Sequence, residues 1–362
     1  MEQTVSDEAT SPIQSLQEEY DGADQISRLD RWWTLVDLWV LAPARIMWED
    51  TRTRVGALII LFYALMGTVG VVVTSPPIQN EGPALLGMFP GGIVPSGENA
   101  WLSVGQTSVA GVTAPWPEFY FPLGTDVLGN SLLEMTIHAT PAMLKMAFAG
   151  GVLTTLIGTA VGTVAGYKGG RVERVLVTAA DIQMAIPGLP LLIVLAVALQ
   201  PRDPLVVGFL LSIDAWAGLA RQLHSQVLSL RNESYVEASR LMGFSSPPII
   251  WDDILPNIMP YVMINFMGNS IRVIHASVGL YFLGVLPFTT LNWGVMINMA
   301  YNRGGLLSFG AVHWLLIPIV AISLLGFGIT LFSQGMDRLF NPRVRARYAS
   351  SVDTDASDAM NR

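Results

Sequence analysis

The stretch "YVEASRLMGFSSPPIIWDDILPN", residues 235–257, is a polar two-piece segment set between long apolar runs. Just before and inside it, Ser234 and Glu237 have the spacing of a capping box, in which a serine caps the first turn and a glutamate reaches back. That pattern predicts a helix over Tyr235–Met242, with Gly243 at the position of a left-handed C-cap. Ser245 or Ser246 would then cap a second short helix whose first turn tolerates Pro247 and Pro248. Ala238 and Ser239 are small enough to let another backbone approach closely. Two turns of helix are too few to persist alone in water. The segment is therefore either an ordinary well-capped loop or a docking surface held by something else.

Outward from that segment the chain is apolar. Of its 362 residues 51% are hydrophobic and 13% charged, with a mean hydropathy of +0.47. Soluble domains carry about 25% charged residues. The absence of cysteine excludes disulfides, thiolate metal sites and cysteine nucleophiles. The net charge of −8 is concentrated in two acidic ends, "MEQTVSDEATSPIQSLQEEYDGADQ" and "SSVDTDASDAM", which read as solvated tails. The N-terminal residues lack the basic-then-apolar pattern of a cleaved signal peptide.

A spanning helix needs about 20 mostly apolar residues. Six segments qualify: 55–74, 146–167, 175–199 (bent or broken near Pro187 and Pro190), 205–220 (extending towards Leu230), 258–284 and 312–332. Trp32–Leu41 is too short to span and reads as an interfacial helix. Sixteen Lys or Arg residues flank the spans on one side, against three on the other (Lys145, Arg202 and Arg303). The positive-inside rule then gives an all-α membrane protein with six transmembrane helices and both termini in the cytoplasm. The expected divisions are a cytoplasmic tail over 1–54, a first span over 55–74 and an extracytoplasmic segment over 75–141. A five-span core follows over 142–340, and an acidic cytoplasmic tail over 341–362. The segment 75–141 holds no Lys or Arg and is rich in Gly, Pro and aromatics, which suits a packed outer cap.

Two periodic patterns lie inside the spans. Gly158, Gly162 and Gly166 recur every four residues and form a flat ridge suited to close helix packing, within this chain or against a partner. Asn265, Asn269, Arg272 and His275 recur at three- or four-residue steps as a polar stripe. Charges at membrane depth line a cavity or pair with each other. Asp214 is the candidate partner of Arg272. A buried ion pair, a pathway lining and a proton relay through His275 are the open alternatives. Asp181 reads as a packing or capping residue near the interface. Nothing points to a catalytic residue, a cofactor, a metal site or nucleic acid.

"YVEASRLMG" followed by "ILPN" resembles the EAA loop of ABC importer permeases, the dipeptide/oligopeptide branch above all. "LGTDVLGNS", "GYKGG", "LSLRNESYVEAS", "YFLG", "NWG" and "NPR" occur in the order that branch shows, covering about residues 124–345. The resemblance implies that Tyr235, Glu237, Ala238, Ser239, Gly243, Phe244, Ile254, Leu255 and Pro256 form a coupling loop seated on a cytoplasmic ABC ATPase subunit. Glu237 would face basic groups there. The resemblance also implies a second permease subunit and an extracytoplasmic solute-binding protein. The sequence contains no G-x-x-x-x-G-K-[ST] loop, so ATP hydrolysis by that route falls to another chain. Departures from the family pattern are Ser239 for alanine, Asp252 and Asp253 for basic residues, Asn130–Ser131 for Arg-Asp, and Ser277 for glutamate.

The expectation is a permease subunit forming the pathway for peptides or another small solute across the plasma membrane. A stand-alone ion-coupled transporter or channel would rest on the intramembrane charges alone. It leaves the polar segment unexplained. A membrane enzyme lacks any H-E-x-x-H or G-x-S-x-G motif, and His138, His224, His275 and His313 are scattered.

Overall fold

The structure is a computed structural model. It describes residues 50–77, 108–109, 112–113, 123–303 and 311–340, with side chains described up to residue 335. From Thr51 onward these belong to one compact unit. The two tails, the Trp32–Leu41 helix and most of the 75–141 segment lie outside the described residues. A pair of two-residue antiparallel strands, β1 (Ser108–Val109) and β2 (Val112–Thr113), is described within that segment. Among the described residues the other regular elements are helices.

Helix α1 (Thr51–Val73) includes a π turn at Met66–Gly70. Helix α2 (Leu132–Lys168) begins 14 residues before the expected second span. Pro141 and Lys145, which precede the apolar run, lie within the helix. Its start is fixed by "LGTDVLGNS". The Asp126 carboxylate accepts from the backbone N–H groups of Leu128 (2.8 Å) and Asn130 (2.9 Å) and from the Asn130 amide (2.6 Å). Ser131, at the N-cap, accepts from the Glu134 N–H.

The expected third span is two helices, α3 (Gly170–Ala185) and α4 (Gly188–Leu199), bent by 84°. Ile186 is extended because the ring of Pro187 excludes helical geometry from the residue before it. The fourth is also broken: α5 (Pro204–Ser212) and α6 (Trp216–Leu230) meet at 52°, with Asp214 in the break. Helix α7 (Ser234–Leu241) and a lead-in of Ser246–Pro248 and a π turn at Ile249–Ile254 precede α8 (Leu255–Phe282). Helix α9 (Trp293–Asn302), not foreseen, packs a fully buried Trp293 against the core, and α10 (Val312–Phe340) closes the series.

By length and apolarity, α1, α2 and α10 can each cross a membrane, and the two bent pairs bring the number to five. Helix α8 has the length, at 28 residues, but its polar positions lower its apolarity.

The glycine ridge is consumed within the chain. A Cβ on Gly162 would sit 2.5 Å from the Ala220 carbonyl oxygen; on Gly158 or Gly166 it would strike Leu219 or Val227 at 2.9 and 2.8 Å. All three glycines thus let α2 lie directly on α6. The same device joins α1 to α10, where a Cβ on Gly56 would meet the Phe332 N–H nitrogen and the Gly328 carbonyl. Between the bundle and α7 lies a second apolar cluster: Tyr167, Leu219, Leu223, Val227, Val236, Ile249, Ile254, Ile258 and Val262.

Candidate functional site

The local fold of the opening segment differs from the capping box in one register position. Glu233, not Ser234, is the extended N-cap residue; its carbonyl accepts from the Val236 and Glu237 N–H groups, both at 3.1 Å. The cause is the end of α6, where Asn232 and Glu233 donate back to Ser229 and Leu230 and place the extended residue one position early. No side chain caps α7. At the other end Gly243 has φ +83°, as its sequence position demanded. Its N–H donates to Arg240 O (3.0 Å) and the Phe244 N–H donates to Ser239 O (3.2 Å). Those two bonds are a Schellman motif.

The second piece is not a separate short helix. Ser245 stands at the N-cap without a side-chain bond, and Pro247 and Pro248 occupy the first turn. The chain then runs through the π turn into α8. Pro256 has no N–H to offer the carbonyl four residues back, which favours a widened turn at this point. One residue on, the Asn257 side chain donates to Asp253 O at 2.7 Å.

Two contacts hold α7 in place. Val236 is fully buried in the second apolar cluster, beside Ile249 and Ile254. Burying such a side chain stabilises by about 1.5–3 kcal/mol. Arg240 lies over the Tyr167 ring, 5.1 Å from its centroid, and donates to Arg231 O at 3.1 Å. Val236 carried no sequence signal beyond being the aliphatic residue inside a polar helix. The remaining residues face outward. Glu237 and Ala238 are exposed, as are Leu241 (84%), Met242, Phe244 and Trp251 (70%). Tyr235 accepts from the Asn257 amide at 3.3 Å. Burial, then the nearby Glu233 and Asp253 carboxylates, raise its hydroxyl pKa above the ordinary value, so it stays protonated. Of the expected loop residues, Ile254 is buried, Leu255 is partly buried and Pro256 is exposed.

The polar stripe lies on one face of α8, and that face is open. His275 and Arg272 are exposed, while Asn265 and Asn269 are partly so. On the same face a Cβ at Gly268 or Gly279 would meet nothing within 4 Å. The opposite face, with Val262, Val273, Ile274, Ser277 and Leu280, is buried against the bundle. Arg272 and Asp214 do pair: Nη2 lies 2.6 Å from Oδ2 and Nη1 lies 3.3 Å from Oδ1, a bidentate contact. The carboxylate is only 8% exposed and the guanidinium 46%. Gly188 makes the space, since a Cβ there would sit 2.5 Å from Asp214 Oδ2. The ion pair therefore joins both helix breaks to the stripe. Asp181 instead pairs with Arg221 at 2.7 Å, linking α3 to α6. Among the described residues no group of three or more His, Cys, Asp or Glu could hold a metal ion.

Residues 158–346 match the family described as binding-protein-dependent transport system inner membrane component. The dipeptide transport system permease protein DppC of Bacillus subtilis (strain 168) is 31% identical over 227 residues, covering 61% of this chain and 68% of that protein. The oligopeptide transport system permease protein OppC of the same organism is 29% identical over 224 residues, covering 61% and 72%. Among solved structures, the MetNI methionine ABC transporter in inward-facing conformations is 19% identical, covers 54% of this chain and 93% of the matched chain, and has a TM-score of 0.43. Since the family pattern runs through more than half of its length, this chain belongs to the binding-protein-dependent transport system inner membrane components and is a multi-pass protein of the cell membrane.

Proposed function

We propose that this chain is a permease subunit that crosses the membrane six times with both ends in the cytoplasm, and that residues 235–257 dock a separate ABC ATPase. The observation that carries this reading is the contrast within the segment. Val236 is fully buried and anchors α7, while Leu241, Met242, Phe244 and Trp251 are exposed around a rigid glycine turn. Large apolar side chains held outward on a polar element fit a groove in a soluble partner. Glu237 adds an exposed carboxylate for a basic counterpart.

The open face of α8 contributes one wall of the solute pathway, and a second permease subunit supplies the facing wall. A solute-binding protein delivers cargo from outside. The cargo is a peptide, a reading supported by the transport functions named for the relatives DppC and OppC. Arg272 and Asp214 cancel each other's charge, so the wall offers polar groups without a net charge at that level.

The test is a gentle detergent pull-down of the tagged chain, with Gly243→Pro as the control. Co-purification of an ATPase, lost in the control, is expected. If the chain comes down alone and reconstituted chain moves solute without ATP, the reading fails and an ion-coupled transporter takes its place.

A further inference from the structure

At the end of α2 an open cleft of ≈ 630 Å³ is lined by Tyr167, Lys168, Arg231, Asn232, Arg240 and Ser246. Three cationic side chains meet there. Among the described residues none of the three forms an ion pair with a carboxylate: the ion pairs present are Arg221–Asp181, His224–Glu173 and Arg272–Asp214. Glu173, the carboxylate beside Gly169 and the Arg231 guanidinium, is engaged by His224 at 2.8 Å. Arg231 donates to Gly166 O (3.2 Å), and Arg240 donates to Tyr167 Oη (3.4 Å) and Arg231 O (3.1 Å). Each guanidinium has five N–H donors, so both keep donors to spare after these bonds. The bonds also hold the two planar groups in place on either side of the α6–α7 turn. Lys168 and Asn232 are exposed, and their side chains make no hydrogen bond among the described residues. Glu173, whose Oε2 lies on the Gly169 side near Arg231 Nη1, is the nearby carboxylate; against it stand three cationic side chains in one cleft, and a bound anion offsets the repulsion among them. Planar guanidinium groups beside an ammonium and a hydroxyl match the oxygens of a phosphate.

We propose that this cleft is a binding site for a phosphate-type oxyanion. Two sources share that chemistry: the headgroup of an anionic phospholipid, and free phosphate or a small phosphorylated compound. The headgroup source is compatible with the position, because Lys168 ends a helix whose apolar part lies just before it. Occupation would brace the base of α7 through Arg231 and Arg240, since both contact that turn.

The experiment uses the full chain, purified without an ATPase, so its outcome does not depend on the docking or transport readings. One arm follows thermal unfolding in detergent with inorganic phosphate against chloride at matched ionic strength. The other measures, by native mass spectrometry, lipid retained from nanodiscs of phosphatidylcholine with and without phosphatidylglycerol. Lys168→Gln and Asn232→Glu remove or oppose charge at exposed positions. Arg174→Gln, an exposed residue outside the cleft, controls for net charge. Stabilisation by phosphate, or selective retention of phosphatidylglycerol, is expected, with roughly tenfold weaker binding in both cleft variants and native binding in the control. A response in the first arm identifies a free oxyanion; a response in the second alone identifies the headgroup. Binding in neither arm, or equal weakening by Arg174→Gln, overturns the proposal. So does a pair of cleft variants that bind phosphate and lipid as the native chain does.

Discussion

Helix α2 and helix α8 each carry a periodic face that stands out in the sequence, and the two faces meet different fates. The ridge of Gly158, Gly162 and Gly166 is closed against α6, so tightly that a single added carbon at Gly162 would lie 2.5 Å from a carbonyl oxygen. The stripe of Asn265, Asn269, Arg272 and His275 is left open, and Gly268 and Gly279 beside it face empty space. Periodicity therefore reports that a face is special, and residue type reports what kind of neighbour it awaits. Small apolar residues are satisfied by backbone, which this chain supplies itself. Polar residues at membrane depth need water, solute or another subunit.

Substitutions can break this contrast in graded steps. Gly162→Leu should have the largest effect. Overpacking costs about 1–3 kcal/mol even in a forgiving core, and here the obstruction is backbone, so membrane-inserted folded protein should fall sharply. Normal yield in a fluorescence size-exclusion assay would mean that α2 and α6 do not pack as described. Gly243→Pro and Glu237→Lys come next. Proline cannot adopt φ +83°, so ATP-driven uptake should drop below roughly a tenth of native while membrane levels hold. Native uptake by both variants would sink the docking reading. Asp214→Ala alone should cost about 1–2 kcal/mol, less than for a fully buried pair because Arg272 is half-exposed. Adding Arg272→Ala should restore most of that stability; if uptake or solute preference remains altered in the double variant, the stripe touches the pathway. Gly268→Ala should be the mildest. With nothing within 4 Å, it should gain about 0.5–1 kcal/mol of helix stability in a thermal melt. Loss of uptake in that variant at unchanged stability would show that a partner or solute approaches there.

The sequence made the glycine ridge, the Gly243 turn and the Asp214–Arg272 pair legible, because each depends on a short local pattern or on charge that must be neutralised. It misplaced the start of α7 because the cap depends on how α6 unwinds, and that is set by backbone bonds at Asn232 and Glu233. It gave the apolar span 146–167 but not the 14 helical residues before it, where Pro141 and Lys145 interrupt the apolar pattern. A helix supported by tertiary packing runs through both. The anchoring role of Val236 could not be read at all, since its partners Ile249 and Ile254 belong to a helix whose direction only the fold defines.

The π turn at Ile249–Ile254 has a mechanical meaning. From Ser246 to Phe282 the backbone is one helical rod, so the angular phase between the Gly243 turn and the polar stripe is fixed by residue count. Each residue advances a helix by about 100°. A one-residue insertion in the α-helical part between Leu255 and Arg272 would thus swing Arg272 away from Asp214 by about a quarter of a revolution, whereas a one-residue deletion within Ile249–Ile254 would convert the widened turn to ordinary α-helix. The widened turn thus lies on the one continuous backbone path between the Gly243 turn and the polar stripe.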